Sequence, residues 1–175
     1  MLEDDRVLKV MAAIALATSG DTAAANQLAD EVARRYPSNT LTQNYGLPTI
    51  RALNALAQGR AADAIELLKP ALALEQAVGD FTYMQPTYVR GLAYLQLGKG
   101  PEAAGEFRRM IEHRGLIGNF VTGALAHLQL GRAEEMSGNR AAARTQYQDF
   151  FALWKDADPD LPILKQAKAE YAKIQ

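Results

Sequence analysis

The sequence predicts an all-α fold: about four helical hairpins stacked in a right-handed superhelix and closed by a C-terminal capping helix. Three observations lead there. Four glycines, Gly20, Gly59, Gly98 and Gly138, recur 39, 39 and 40 residues apart. Each is followed after five residues by an alanine (Ala25, Ala64, Ala103, Ala143), after nine by Ala29, Leu68, Phe107 or Tyr147, and after twelve by Val32, Ala71, Met110 or Phe150. Alanine, the best helix former, is abundant, and β-branched residues are few. A register held this closely marks a repeat array, and such arrays more often hold a partner than perform chemistry.

The first unit, 3–37, opens with Val7, Leu8, Met11, Ile14 and Leu16 at helical spacing. Past Gly20, Asp21 or Thr22 is positioned to cap a helix bearing Leu28, Val32 and Tyr36. Pro37 ends it, because proline cannot continue a helix and disfavours it at the preceding residue. The second unit, 41–78, carries Ile50, Leu53, Leu56 and Ala57 into Gly59, then Ala64, Ile65, Leu68, Leu72 and Leu74. Pro70 falls inside that second pattern and predicts a bend or a helix that restarts.

The third unit, 82–114, has an amphipathic stretch from Tyr88 to Leu97 before Gly98. Pro101 suits the first turn of the partner helix, which carries Ala103, Ala104, Phe107, Met110 and Ile111. His113-Arg114-Gly115 is expected to close it, with basic groups near the negative end of the helix dipole. The fourth unit, 119–156, runs through Leu125, Leu128, Leu130 and Met136 to Gly138, then through Ala143, Tyr147, Phe150, Phe151 and Trp154. A capping helix follows over 161–174, with Asp160 as its expected N-cap and Pro162 in its first turn. Lys165, Lys168, Glu170 and Lys173 are expected to face water, as a terminal repeat requires.

Composition narrows the function. The 175 residues are 49% hydrophobic and 22% charged, enough to build a core. A net charge of −1 leaves no basic surplus for phosphates, so nucleic acid is not the expected partner. No apolar run approaches the ~20 residues of a bilayer span, so direct membrane insertion is not expected. The acidic start, Met1-Leu2-Glu3-Asp4-Asp5, lacks the features of a signal peptide and reads as a helix start or as the cut edge of a larger protein. With no cysteine, disulfide and thiolate chemistry are excluded but the compartment is left open. Cytoplasmic is the default, and a membrane span upstream would reverse it.

The helix–turn–helix unit resembles the tetratricopeptide repeat, W-x2-L-G-x2-Y, then A-x3-F, then P. Unit three supplies Gly91-x2-Tyr94 and Ala103-x3-Phe107. Unit four supplies Leu130-Gly131 and Ala143-x3-Tyr147, and unit one Ala25-x3-Ala29 and Pro37. The tryptophan is missing throughout, unit two has Arg51-Ala52 where Leu-Gly is expected, and the period exceeds the usual ~34 residues. The surplus must lie between units, since the spacing from glycine to alanine is constant.

The strings Tyr88-Val-Arg-Gly-Leu-Ala-Tyr, His113-Arg-Gly-Leu-Ile-Gly-Asn, Gly123-Ala-Leu-Ala-His-Leu and Leu153-Trp-Lys-Asp-Ala-Asp-Pro-Asp-Leu-Pro-Ile-Leu-Lys resemble a narrower group. They are similar to the C-terminal repeat region of bacterial regulatory proteins that carry a eukaryotic-like serine/threonine kinase or a winged-helix domain. The resemblance implies a fragment of a signalling protein. No Gly-rich phosphate loop, His-Arg-Asp or Asp-Phe-Gly occurs in the chain, so kinase catalysis would belong to another segment.

No catalytic residue, metal site or cofactor emerges. His113 and His127 lie on different predicted helices without further ligands, and helix-end or packing roles suit them better. Asp156, Asp158 and Asp160 imitate the start of a calcium loop. Leu161 stands where its glycine belongs and Ala167 where its bidentate glutamate belongs, so a turn and cap is the better reading. No Ser-His-Asp or Gly-x-Ser-x-Gly arrangement is present, and a non-enzymatic chain is expected. Arg51 and Arg90 hold equivalent places, with Arg132 nearby in the register. They either pack their stems on neighbouring helices or form a ladder that grips a carboxylate or other anion.

By resemblance, the inner face is lined by the first helix of each pair. It takes Val10, Ile14, Ile50, Leu53, Gln85, Tyr88, Val89, Leu92, Leu128, Gln129 and Arg132. Those positions lack the lysines and asparagines with which such repeats hold acidic chaperone tails, and an apolar or amphipathic partner segment suits them better. Two rivals remain: a homodimerisation surface and a cavity for a small ligand. The expected core is anchored by Phe107, Tyr147, Phe150 and Trp154. Phe107→Ala is expected to cost about 3–5 kcal/mol in denaturant unfolding, and an unchanged melting temperature would place this register wrongly.

Overall fold

The computed structural model describes residues 5–76 and 83–175, and every regular element among them is helical. The unit bounds expected at residues 3, 78 and 82 lie outside the described residues. Four helix pairs follow one another: α1 (Asp5–Ser19) with α2 (Thr22–Arg35), α3 (Leu47–Ala57) with α4 (Ala61–Leu67), α5 (Gln85–Gln96) with α6 (Gly100–Glu112), and α8 (Val121–Met136) with α9 (Arg140–Leu153). A one-turn helix, α7 (Arg114–Ile117), joins α6 to α8, and α10 (Pro162–Ala172) packs on α9. Within each pair the helices touch. The first helix of a pair also packs on both helices of the pair before it.

The four glycines end the first helix of each pair with φ of +91°, +74°, +71° and +80°, the left-handed region that glycine enters without a Cβ penalty. The residue after each donates its N–H to a carbonyl five residues back: Asp21 to Leu16 (2.9 Å), Arg60 to Ala55 (2.8 Å), Lys99 to Tyr94 (2.9 Å) and Asn139 to Glu134 (2.8 Å). This is the bond of a Schellman-type helix end. It recurs with nearly the same length in all four units. The alanines five residues past each glycine are fully buried, as are Leu68, Phe107, Tyr147, Val32, Ala71, Met110 and Phe150.

Seven residues before each glycine stand Ala13, Ala52, Gly91 and Gly131, all buried. A Cβ on Gly91 would lie 2.5 Å from Phe107 Cζ, and one on Gly131 would lie 3.0 Å from the Tyr147 ring. The two units with an aromatic residue on the second helix therefore have glycine on the first. The other two combine Ala13 with Ala29 and Ala52 with Leu68. Small residue and large residue exchange volume between units, so the helices of each pair stay close.

Asp21 is the expected cap of α2, accepting from the Ala24 N–H at 3.0 Å. Pro70 marks the restart its position suggested: α4 ends at Leu67 and a 3-10 segment runs from Lys69 to Leu74. A π turn at Thr42–Gly46, which the sequence pattern did not indicate, leads into α3.

Three expectations need correction. Gly115 does not end the third unit, because the chain makes one more turn as α7 and the positive φ (+58°) falls on Gly118. Asp160 does not cap α10. Leu161 holds that position, and Asp158 Oδ1 accepts the Asp160 N–H at 2.8 Å to close the turn before it. Trp154 is only half-buried, lying against Phe150 at a centroid distance of 4.9 Å beyond the end of α9. Among the described residues no helix is long and apolar enough to cross a membrane.

Gly91→Ala should destabilise by about 1–3 kcal/mol, because the fully buried Phe107 ring has little room to yield. Adding Phe107→Leu recreates the combination of unit two. The double variant should therefore lose clearly less than the sum of the two single losses in urea unfolding. Additive losses would show that the glycine does not accommodate this ring.

Candidate binding site

The sequence register decides what the first helices present inward. Six residues before the repeat glycines stand Ile14, Leu53, Leu92 and Arg132, and nine before stand Met11, Ile50, Val89 and Gln129. Three of each four line one hollow of about 570 Å³. Its other walls are Ala15, Thr18 and Ser19 of α1, Gln85 and Tyr88 of α5, Val121, Thr122 and Leu125 of α8, Ile163 of α10, and Tyr83 and Phe120 from the turns before α5 and α8. Apart from these two aromatic residues and Ile163, every lining residue comes from the first helix of a pair.

Five of the seven expected groove residues therefore meet in one place: Leu53, Gln85, Tyr88, Leu92 and Gln129. The other two do not. Ile50 has no exposed surface and belongs to the core shared by the first two pairs. Arg132 turns to α10, where Nε donates to Glu170 Oε2 (2.8 Å) and Nη2 to Glu170 Oε1 (3.0 Å). Of the remaining inner-face positions, Ile14 and Val89 line the hollow, whereas Val10 and Leu128 are core. Ten of the seventeen lining residues were not foreseen: Met11, Ala15, Thr18, Ser19, Tyr83, Phe120, Val121, Thr122, Leu125 and Ile163. Met11 is the register equivalent of Gln129 and was legible. The two turn residues and Ile163 stand outside the repeat and carry no periodic signal.

None of the described lining residues is Asp, Glu, Lys, Arg or His. Burial pushes the Tyr88 hydroxyl above its ordinary range, against an opposing hydrogen bond from Gln129. At the rim, Tyr83 and Phe120 stack with ring centroids 4.9 Å apart and planes 4° apart. Tyr83 (φ +35°) and Met84 (φ +52°) are both in the left-handed region, each at a cost of order 1–3 kcal/mol for a residue with a side chain. Their surroundings hold them there. Met84 is buried, and the next amide, Gln85 N–H, donates to the buried Tyr45 hydroxyl at 3.1 Å. Thr122 is 6% exposed, and its Oγ1 is buried with no hydrogen-bond partner among the described residues.

The arginine ladder does not form. Arg90 lies buried between two carboxylates, paired through Nη1 with Glu75 and through Nη2 with Glu106 Oε2 at 2.6 Å. Arg109 Nη1 completes the cluster on Glu75 Oε2 at 2.8 Å. Burial alone would lower the Arg90 pKa, but the Glu106 and Glu75 contacts outweigh it and hold the guanidinium firmly charged. Arg90 and Arg132 are thus engaged within the fold and not offered to an outside anion. Arg51 alone of the three is exposed.

A second recess of about 520 Å³ lies behind Phe120 and Val121, which line both cavities. It is more polar, with Arg114, Asn119 and His127 among its walls. His127 Nδ1 is 2.9 Å from Gln146 Oε1 and His113 Nδ1 is 2.9 Å from the Arg109 carbonyl, both within hydrogen-bond reach. Among the described residues no group of three or more metal-ligating side chains occurs.

Glu170 was expected to face water. Instead it accepts from Arg132 and from the Tyr147 hydroxyl (2.9 Å), clamping α10 so that Ile163 closes one end of the hollow. No protein-family model matches the chain, and no curated protein or solved structure matches it.

Burial raises the Glu170 pKa, but the Arg132 contact outweighs it and the net shift is downward from the ordinary 4.5. A depressed folded pKa contributes stability that is present above the unfolded value and lost as pH falls through the folded one. Glu170→Gln should therefore cost about 1–2 kcal/mol at neutral pH, a figure reduced for its partial exposure. The gap to wild type should close as pH drops below 4.5. A gap constant with pH in urea unfolding would show that the charge is not what clamps α10.

Proposed function

We propose that the chain is a non-enzymatic interaction module of tetratricopeptide-like hairpins whose hollow takes an apolar or amphipathic segment of a partner protein. The observation that carries this reading is the uncharged hollow lined by the first helices of all four pairs. The recurring turn, the buried alanines and the glycine beneath each aromatic ring support the repeat assignment. An amphipathic helix laid in a groove is anchored by apolar side chains at i, i+3, i+4 and i+7. Walls of Leu53, Tyr88, Val89, Leu92 and Leu125 suit such anchors. The resemblance to the repeat region of bacterial signalling proteins adds that the module serves an attached regulatory domain.

A small-ligand reading is favoured by one observation. A volume of about 570 Å³ falls within the roughly 300–1,000 Å³ of small-molecule sites.

Panning a displayed library of helix-length peptides on the chain tests the module reading. Enriched sequences should repeat apolar residues at i, i+3, i+4 and i+7. Their affinity should fall about tenfold or more on a folded Tyr88→Ala, Leu92→Ala variant. Peptides without that pattern, or bound equally by the variant, would refute it.

A further inference from the structure

We infer that a second copy of this chain covers the outer face of α1, the two α1 helices lying antiparallel across a two-fold axis. The inference stands apart from the reading of the hollow. It rests on the register of the array and on the sizes of the side chains along one helix face.

The register identifies this face as a stacking surface that lacks its neighbour. Twelve residues before the repeat glycines stand Leu8, Leu47, Pro86 and Ala126, and five before stand Ala15, Asn54, Ala93 and Ala133. In the second, third and fourth pairs all six are buried. Two contacts place this side of the first helix against the second helix of the pair before. Asn54 Nδ2 donates to Asn26 Oδ1 of α2 at 2.7 Å, and a Cβ on Gly100 of α6 would lie 3.0 Å from the Ala133 carbonyl oxygen. In α1 the same positions lie open. Leu8 is 61% exposed, and Ala12, Ala15 and Ser19 are exposed beside it. The four form a stripe at i, i+4, i+7 and i+11 without a charge. A terminal repeat is ordinarily closed by a polar outer face. α10, with Lys165 and Lys168 exposed, supplies one at the other end of the array.

The occupant follows from what the chain can offer this face. Two and six residues past the glycine, the second helices present Thr22 and Asn26, Ala61 and Ile65, and Gly100 and Ala104 to the next pair. In the last pair the same places hold Arg140 and Arg144, both exposed. Seating α1 of another copy there would press two guanidinium groups on an apolar stripe, which opposes a head-to-tail chain. Antiparallel pairing of α1 with its own copy meets no such obstacle. Centred between Ala13 and Ile14, it sets Leu8 opposite Ser19 and Ala12 opposite Ala15. Large meets small at both ends and small meets small in the middle. The helices can approach closely, and each Leu8 leaves water. Such self-complementarity is what an isologous two-fold contact requires. One helix from each copy makes a small interface, so the association belongs at micromolar concentrations.

Sedimentation equilibrium of the full chain, from about 1 to about 500 μM, should show a monomer–dimer equilibrium. Leu8→Lys and Ala12→Lys change residues that do not line the hollow. Each should weaken dimerisation about tenfold or more, with helicity and melting temperature of the dilute protein unchanged. The chain has no cysteine, so the pairing can be read by disulfide formation. Mixing Leu8→Cys with Ser19→Cys under mild oxidation should yield a cross-linked heterodimer. Leu8→Cys alone should not cross-link, because its two copies would lie about 16 Å apart along the helices. A monomer at every concentration, or a dimer untouched by the lysine variants, would overturn the inference and leave the face to a helical hairpin of another chain. Oligomers that grow beyond the dimer would replace it with head-to-tail stacking. Leu8→Cys cross-linking to itself as well as to Ser19→Cys would refute the antiparallel pairing.

Discussion

The structure depends on a size match between paired helices. Where a ring projects from the second helix, as at Phe107 and Tyr147, the first helix offers no Cβ, as at Gly91 and Gly131. Where the second helix carries Ala29 or Leu68, the first can carry Ala13 or Ala52. Constant closeness within pairs lets four unequal units share one turn geometry. Because the turns agree, six of the eight side chains six and nine residues upstream emerge into one hollow, which Tyr83 and Phe120 of the connections and Ile163 of α10 complete.

Electrostatics act one layer away from the hollow. The cluster of Glu75, Arg90, Glu106 and Arg109 ties the chain after the 3-10 segment to α5 and α6, and the clamp of Arg132, Glu170 and Tyr147 ties α10 to α8 and α9. Breaking such a pair strands a charge in a poorly solvated place, so these contacts fix geometry more than they add stability. The walls themselves carry no cation: Arg90 pairs with Glu75 and Glu106, and Arg132 pairs with Glu170 while its Nη1 donates to the lining Gln129 Oε1 at 3.3 Å.

Much of this was legible in the sequence, and the parts that were not share a cause. The spaced glycines, the alanines after them, the buried rings and five of the seven groove residues follow from one period, which a single sequence displays. What the period does not govern was misread. Glu170 lies on a helix without a repeat counterpart, and the polar pattern alone put it in water, although its partner Arg132 stands 38 residues away in sequence. Tyr83, Phe120 and Ile163 come from connections and the cap. Arg90 shares its register with Arg51, yet one is buried and the other exposed, because Glu75 and Glu106 are present only near Arg90. Long-range polar pairing has no periodicity, so repeat logic is blind to it.

Phe120 and Val121 are a party wall. They line the apolar hollow and also the recess that holds Arg114 and His127. The two rooms, of about 570 and 520 Å³, share this partition, so a substitution at Phe120 or Val121 remodels the lining of both at once.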